Sequence, residues 1–192
     1  METKSVILVG VGGQGAILTA KVLVNGLMQA GYDVKMSEVH GMSQRGGSVS
    51  TQVRFGDKVY SPLIGAGVAD VMVAFEKMEA VRYSEFLKSD GVAVINDYEM
   101  ASATTAAGLA EYPEGCLEAM EKCFKCFSIR ADEIAKLIGS EKCMNIVLFG
   151  ALTKVLELPD IDWEEIIRST VPAKYIDLNI AAYRAGHDAI IG

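Results

Sequence analysis

The segment that most constrains the fold is a short apolar run that ends in a cluster of glycines. Residues 5–9 are Ser-Val-Ile-Leu-Val, and the six residues that follow are Gly-Val-Gly-Gly-Gln-Gly. A β-branched run of this length, bounded by glycine, is typical of a buried strand that is covered on both faces. Beyond the glycines, apolar residues recur at the spacing of one helical face, at Ile17, Ala20, Val24 and Leu27. A strand, a glycine turn and a helix in this order predict the start of an α/β fold.

The rest of the chain continues this alternation of strands and helices. Apolar runs and turn residues predict further strands at 33–39, 48–55, 70–75, 91–95 and 124–129. Helical spacing predicts helices at 76–87, 132–138 and 144–156, and Gly150 marks a place where a neighbour could pack closely. Asp162 and Glu165 resemble a capping box for a helix that ends before Pro172, and a last amphipathic helix carries Ile176, Ile180, Tyr183 and His187. Residues 99–116 show no pattern that predicts a helix or a strand.

These elements predict a Rossmann-like α/β fold, with a mostly parallel twisted sheet, helices on both faces and a helical C-terminal portion. The first strand and the strand at 33–39 are expected to run parallel and to be joined by a right-handed crossover. Because the chain has 192 residues and shows no repeat or linker, we expect a single domain over residues 1–192.

The charge and composition narrow the classes of partner. The chain has a formal net charge of -7, with 51% hydrophobic and 22% charged residues, which is typical of a globular protein. An acidic chain offers no broad cationic face to a phosphate backbone or an anionic leaflet, so nucleic acid and membranes are not expected partners. No cleavable signal pattern and no run of about 18 apolar residues occurs, so we expect a cytoplasmic protein.

The glycine turn is the first candidate site, formed by Gly10, Gly12, Gly13, Gln14 and Gly15. Its backbone N–H groups and the positive end of the following helix could hold a phosphate or a carboxylate. Alternatively, the glycines only permit a tight turn and close packing of the helix on the sheet. Glu38 lies where a dinucleotide-binding acid is expected, so a free-standing dinucleotide-binding protein is an alternative function. The remaining length shows no second nucleotide half and no substrate domain.

The segment from Glu38 to Ser48 is the most specific feature of the sequence. A glycine-rich loop after a parallel strand lies at the edge where open α/β sheets bind their ligands. Arg45 offers a planar fork of donors to a carboxylate or phosphate, and the flanking Gly46 and Gly47 would let backbone amides join it. We favour a loop that docks a partner subunit over one that binds a small ligand. The candidate residues are Glu38, His40, Gly41, Met42, Ser43, Gln44, Arg45, Gly46, Gly47 and Ser48.

These motifs together resemble the gamma-domain family of 2-oxoacid:ferredoxin oxidoreductases. The resemblance rests on residues 10–15, on Glu-Val-His-Gly-Met-Ser-Gln-Arg-Gly-Gly-Ser-Val at 38–49, on Val-Tyr-Ser-Pro-Leu-Ile at 59–64 and on Ala-Asp at 69–70. It extends from residue 6 to about residue 186, because 145–152 and 179–186 also resemble family segments. The forms of the second and third motifs are closer to the indolepyruvate branch than to the pyruvate or 2-oxoglutarate branches.

The resemblance implies a small subunit that binds no cofactor itself. A larger partner subunit would carry thiamine diphosphate, magnesium and iron–sulfur clusters, decarboxylate an aryl 2-oxoacid, reduce ferredoxin and release an acyl-CoA, with coenzyme A as cosubstrate. A gamma subunit acting on pyruvate, 2-oxoisovalerate or 2-oxoglutarate, and a pure assembly module, are the alternatives within this class. The sequence has neither a Gly-Asp-Gly that would begin a thiamine diphosphate motif nor the cysteine run that holds a cluster.

The four cysteines and two histidines do not suggest a metal site or a nucleophile. Cys123 and Cys126 form a C-x-x-C, but Cys116 and Cys143 do not supply a second pair at that spacing. We expect thiols buried for packing rather than a four-thiolate site. No serine, histidine and aspartate constellation is apparent, so we name no catalytic residue.

Overall fold

The computed structural model describes residues 2–40, 47–101, 105, 107–158 and 160–190. Its strands are β1 (Lys4–Val11), β2 (Asp33–His40), β3 (Ser48–Gly56), β4 (Ala69–Ala74), β5 (Leu87–Asn96) and β6 (Lys125–Ile129). Its helices are α1 (Ala16–Gln29), α2 (Lys77–Arg82), α3 (Cys116–Glu121), α4 (Ala131–Ile138), α5 (Met144–Leu156), α6 (Trp163–Thr170) and α7 (Ile176–Asp188). Short 3-10 turns span Ser84–Phe86, Glu141–Cys143 and Ala173–Tyr175.

The strands form one sheet in the order β2-β3-β1-β4-β5-β6. Strands β1, β4, β5 and β6 pair in parallel, while β3 pairs antiparallel with both β1 and β2. The predicted α/β class with a mostly parallel sheet is confirmed. The simple β-α-β unit expected at the start of the chain needs correction, because β2 runs in the direction of β1 but does not pair with it. Strand β3 lies between them and pairs with each along its length.

Two apolar layers cover the sheet, one on each face. In β1, Val6 and Leu8 point into the first layer with α1 and the four C-terminal helices, whereas Ile7 and Val9 point into the second layer with α2 and α3. This alternation confirms helices on both faces, and it explains why residues 5–9 read as an uninterrupted apolar run. Among the described residues, no helix is long and apolar enough to cross a membrane.

Helix α5 lies in the centre of the first layer, and every residue from 145 to 153 is buried. Its neighbour α7 packs so closely that glycine is required on both helices. A Cβ atom at Gly150 would lie 2.1 Å from the carbonyl oxygen of Tyr183, and one at Gly186 would lie 1.8 Å from that of Val147. The sequence-based prediction of a close neighbour at Gly150 is confirmed. Because α5 begins beside the glycine turn, this packing also fixes one wall of the candidate site.

Candidate functional site

The two motifs singled out in the sequence meet at the carboxyl edge of the sheet. Strands β1, β2, β4 and β5 all end at this edge, and β3 begins there, so the glycine turn and the two ends of the 38–48 segment are neighbours. The N–H of Gly12 donates a hydrogen bond of 2.8 Å to the carbonyl of Gly47. The candidates Gly41, Met42, Ser43, Gln44, Arg45 and Gly46 lie outside the described residues. What the structure describes is therefore the frame that holds this loop at both ends.

The side chain of Gln14 stabilises the glycine turn through two hydrogen bonds. Its side-chain oxygen accepts the N–H of Val11 at 2.7 Å, and its side-chain nitrogen donates to the carbonyl of Phe75 at 3.1 Å. A Cβ atom on Gly10 would lie 2.8 Å from that side-chain oxygen and 2.9 Å from the Cβ of Phe75. Gly10 and Gln14 thus build the turn and join the ends of β1 and β4. For these two residues the geometry favours the packing interpretation.

Gly13 and Gly15 have a different role in the turn. Both adopt positive φ angles, of 105° and 90°, which favour glycine. Gly15 directly precedes α1, whose first turn has no side-chain cap. No atom lies within 4 Å of the position that a Cβ on Gly13 would occupy, whereas a Cβ on Gly15 would touch the side-chain amide of Asn145. The positive end of α1 and the Gly13 side of the turn are therefore accessible to an anionic group.

Two cavities flank the glycine turn. The first, here called the α4–α5 cleft, has a volume of about 440 Å³. Beyond the glycine turn, its polar lining is Tyr98, Asp132, Lys136, Glu141, Lys142 and Asn145. The second, here called the β2–β3 cleft, has a volume of about 300 Å³ and is lined on its far side by Ile17, Val39, Val49, Ser50 and Thr51. The described residues of the β2–β3 cleft include no charged side chain. Among the described cavity-lining residues beside the turn, the charged side chains therefore lie on the α4–α5 side.

Glu38 lies farther from the glycine turn than the acidic residue of a dinucleotide-binding site. It pairs with Thr51 of β3 near the end of β2. In a dinucleotide-binding fold the acid follows the strand next to β1, but here β3 occupies that place. At ~4.8 Å per strand, β2 lies roughly 10 Å from β1. The geometry weighs against Glu38 as a ribose ligand. His40 is the last residue of β2 and pairs with Val49 through the backbone.

Ser48 and a buried carboxylate tie the end of the loop to α2. The Ser48 hydroxyl donates to Oε2 of Glu79 and also lies 3.1 Å from the hydroxyl of Tyr83. Glu79 is buried, and its other oxygen accepts from Nε of Arg82 at 3.0 Å. The segment that contains Arg45 is thus anchored at Gly47 to the glycine turn and at Ser48 to α2. Ser48 is a candidate from its sequence motif, but no local pattern marks its carboxylate partner, which is 31 residues away.

A second buried carboxylate, Glu76, begins α2 at the same edge of the sheet. It accepts the N–H of Glu79 at 2.8 Å and the hydroxyl hydrogen of Tyr112. Burial raises the pKa of Glu76 above its ordinary value of 4.5, and the negative charge of Glu79 acts in the same direction. Glutamate is not among the preferred N-cap residues, so no standard capping signal located Glu76 in the sequence, although Glu79 stands three positions later as in a capping box.

The raised pKa of Glu76 predicts a pH-dependent loss of stability. Since the folded state favours the protonated carboxyl, the associated stability is present below the unfolded pKa and is lost as the pH rises through the folded pKa. We expect the free energy of unfolding of the native chain to fall relative to that of Glu76→Gln as the pH rises from 4.5 towards neutrality. Urea unfolding across this range measures the difference. Glu118→Gln, which alters an exposed carboxylate on α3, is the control, and parallel curves for native and Glu76→Gln chains would contradict the prediction.

Asn96 holds the first turn of α4, beside the α4–α5 cleft. Its side-chain nitrogen donates to the carbonyl of Phe75 at 3.2 Å, and its side-chain oxygen accepts the N–H of Ala131 at 2.9 Å. Asn96 is fully buried, so these bonds join the ends of β4 and β5 to the first turn of α4 in a low-dielectric environment. These bonds therefore hold the first turn of α4, which carries Asp132, to the ends of two central strands.

The cysteines are separate from this site's chemistry. All four are free thiols, and burial raises the pKa of Cys126 to about 11, which keeps it protonated at neutral pH. Within the described part of the chain, no group of three or more histidine, cysteine, aspartate or glutamate side chains has an arrangement that could hold a metal ion.

The fold and the joined motifs define a family. Residues 5–189 match the family described as pyruvate ferredoxin/flavodoxin oxidoreductase, and the chain belongs to it. Among curated relatives, indolepyruvate oxidoreductase subunit IorB of Archaeoglobus fulgidus is 40% identical, over 97% of this chain and 95% of its own length. The IorB subunit of Thermococcus kodakarensis is 38% identical over the same shares. The 2-oxoglutarate synthase subunit KorC of Methanothermobacter thermautotrophicus is 28% identical, over 98% of this chain and 95% of its length.

Solved structures show the same fold. The gamma subunit of a keto/oxoacid ferredoxin oxidoreductase from Geobacter sulfurreducens superimposes with a TM-score of 0.71 at 22% identity, over 97% of each chain. The 2-oxoglutarate:ferredoxin oxidoreductase from Magnetococcus marinus, with 2-oxoglutarate, coenzyme A and succinyl-CoA bound, superimposes with a TM-score of 0.75 at 19% identity. The match covers 98% of this chain but 31% of that longer chain. The fold occurs both as a separate subunit and within a larger polypeptide.

Proposed function

We propose that this chain is the small subunit of an indolepyruvate:ferredoxin oxidoreductase. The complex would decarboxylate an aryl 2-oxoacid, transfer the acyl group to coenzyme A and reduce ferredoxin. The observation that carries this proposal is the identity of 40% and 38% to two indolepyruvate oxidoreductase subunits over nearly the whole chain, against 28% to a 2-oxoglutarate synthase subunit. The His-Gly-Met-Ser-Gln-Arg-Gly-Gly form of residues 40–47 supports the same branch.

The cofactors of this reaction are proposed to belong to the larger subunit. The residues of this chain do not fit an iron–sulfur cluster, because Cys143 is buried in the first apolar layer, Cys126 packs against the second and Cys123 is exposed. The sequence offers no Gly-Asp-Gly for thiamine diphosphate and magnesium. The chain therefore acts as one domain that binds and positions other components. We place it in the cytoplasm, where free thiols persist.

The carboxyl edge of the sheet is the proposed working surface. Residues 41–46 follow β2, which ends at this edge, and precede Gly47 and Ser48, which are bonded there to the glycine turn and to α2. We propose that this segment docks the larger subunit. Ile17, Leu18 and Val39 are large apolar side chains, each more than a third exposed, that surround the glycine turn. Exposed apolar groups beside a cationic loop suit the centre of a protein interface.

The test is reconstitution with the larger subunit from the same genome. The isolated chain is expected to show no indolepyruvate-dependent reduction of ferredoxin and no visible-range absorbance, and coexpression with the thiamine-bearing subunit is expected to give an active complex that retains both chains. Activity with pyruvate or 2-oxoglutarate in place of indolepyruvate would assign the chain to another branch. An iron–sulfur or flavin spectrum from the isolated chain would reject the proposed division of labour.

A further inference from the structure

Strand β2 forms a long and regular edge of the sheet. It pairs with β3 one to one over eight residues, and among the described residues it pairs with no other strand. Every second residue of an edge strand directs its N–H and C=O groups away from the sheet, where another strand can bind them. The opposite edge strand, β6, is protected by its length of only five residues. Strand β2 is longer, contains no proline and pairs with β3 without a bulge, so its edge is open to a further strand.

The charges at the start of β2 do not oppose such a pairing. A lysine on an edge strand commonly prevents association, because its charge would have to be buried. Here Nζ of Lys35 lies 2.7 Å from Oδ1 of Asp33, and Oδ2 of Asp33 accepts the N–H of Val59 at 2.8 Å. The two charges neutralise each other within the strand, and both carboxylate oxygens have a donor before any partner binds.

The segment 59–64 lies beside β2 and presents apolar side chains from an ordered backbone. Arg54 of β3 holds this segment, because its guanidinium donates to the carbonyls of Ser61 and Leu63 at 3.3 and 3.2 Å. Tyr60 is 84% exposed and Leu63 is 60% exposed. Apolar groups on a backbone that is already ordered lose little conformational entropy when a partner binds. These side chains therefore suit a protein interface.

The edge is complementary to itself when two copies of β2 pair antiparallel about Met36. Val39 of the second copy then lies opposite Asp33, and the two side chains are on the same face of the joined sheet. Tyr60 directly follows the residue that is bonded to Asp33, so its ring lies within reach of that Val39, which is 50% exposed. The two-fold axis generates this contact twice, as an isologous dimer requires.

We propose that β2 binds β2 of a second copy of this chain, so that two six-stranded sheets join into one continuous sheet in a symmetric dimer. The unpaired backbone groups require a strand as the partner, and the contact between Tyr60 and Val39 selects a second copy over an unrelated strand. Because β2 leads into residues 41–46, this interface adjoins the surface proposed to dock the larger subunit, and Val39 borders both. The inference goes beyond the proposed function and does not depend on it.

The oligomeric state of the isolated full chain tests the inference. In sedimentation velocity the native chain is expected to form a dimer. Val39→Asp, which places a carboxylate opposite Asp33 of the second copy, and Tyr60→Lys are each expected to raise the Kd of the dimer about tenfold or more. An equimolar mixture of the two variants is expected to restore the dimer, because one contact is then native and the other joins the new carboxylate to the new ammonium group. Leu137→Asp is the matched control, at a leucine of α4 that is 88% exposed.

Hydrogen exchange separates backbone pairing from contact between side chains alone. The amides of β2 are expected to exchange more slowly in the native dimer than in the Tyr60→Lys monomer, whereas those of β6 should exchange equally in both. Circular dichroism checks that each variant has folded. If Val39→Asp does not fold, Tyr60→Lys still decides the outcome, because its side chain is almost fully exposed.

Three results would overturn the proposal. The first is a native chain that stays monomeric at millimolar concentration. The second is a dimer that Val39→Asp and Tyr60→Lys both retain, and the third is a mixture of the two folded variants that stays monomeric. A monomeric native chain whose variants fail to assemble with the larger subunit would assign the β2 edge to that subunit instead. An active indolepyruvate-oxidising complex whose small subunit is monomeric in isolation would reject this inference and leave the proposed function intact.

Discussion

Replacing Gly186 with alanine is expected to lower the free energy of unfolding by about 3 kcal/mol or more, because the added methyl group meets backbone rather than a movable side chain. Its Cβ would lie 1.8 Å from the carbonyl oxygen of Val147 and 2.6 Å from the carbonyl carbon. The only relief is separation of α5 from α7, which would open the first apolar layer. Urea denaturation followed by circular dichroism measures the loss.

Gly65→Ala is the matched control for this prediction. A Cβ at Gly65 would lie 3.7 Å from a methyl group of Val68, which is an ordinary van der Waals contact, so the change should be within about 0.5 kcal/mol. Gly150→Ala should behave like Gly186→Ala, since its Cβ would lie 2.1 Å from the carbonyl oxygen of Tyr183. Unfolding midpoints for Gly186→Ala and Gly65→Ala that coincide would show that the two helices can separate without cost.

The sequence predicted best the elements whose signals are local. The apolar run at 5–9 and the glycines after it predicted β1 and the turn, because a strand buried on both faces needs no partner to be recognised. The capping box at Asp162 was equally local, and the Asp162 side chain accepts the N–H of Glu165 at 3.1 Å. The helix predicted at 76–87 was too long. It ends at Arg82 and a 3-10 turn follows, so β5 begins at Leu87, four residues before its predicted start.

The order of the strands could not be predicted in the same way. Nothing in residues 48–56 shows that β3 inserts between β1 and β2, because the choice depends on pairing with strands far away in the sequence. The face of α1 was also only partly predicted. Ile17 is 37% exposed, whereas Gly26 is buried against the ring of Trp163, which would lie 2.3 Å from an added Cβ. A glycine on the buried face does not contribute to the hydrophobic periodicity. The sequence pattern therefore predicted the buried face of α1 at a partly wrong position.

The candidate site was predicted as two motifs, and its chemistry came from residues outside them. Gly12 and Gly47 were both named as candidates, and the hydrogen bond between them shows that the two motifs adjoin. Asp132 was recognised only as the start of a helix. Its Oδ1 atom has no hydrogen-bond partner among the described residues, and Asn96 holds the first turn of α4 at the end of β5. This is a tertiary arrangement without a sequence signature. Local motifs located the site, and long-range packing determines which polar groups face it.

Arg45→Ala is expected to reduce the activity of the assembled oxidoreductase by more than tenfold while it changes the stability of the isolated chain by no more than about 0.5 kcal/mol. Arg45 is two residues before Gly47, and both Gly47 and Ser48 are held by bonds that do not involve its side chain. We therefore expect the fold to be retained in the variant. In the complex, the guanidinium would face an acidic group of the larger subunit or an anionic group of the cosubstrate, and the loss of such a desolvated pair costs about 2–5 kcal/mol.

The manner of the loss distinguishes docking from ligand binding. If Arg45 docks the larger subunit, the variant complex should dissociate on gel filtration, and excess small subunit should restore activity by mass action. If Arg45 binds the cosubstrate, the complex should stay intact and the KM for coenzyme A should rise. Arg168→Ala, at an exposed arginine of α6 that pairs with Glu164, should leave both properties unchanged. The opposite result would be an Arg45→Ala chain that unfolds in isolation but leaves the kinetics of any complex that forms unaltered. That result would show that the loop stabilises the fold, because a side chain needed only for binding loses no contact in the free subunit.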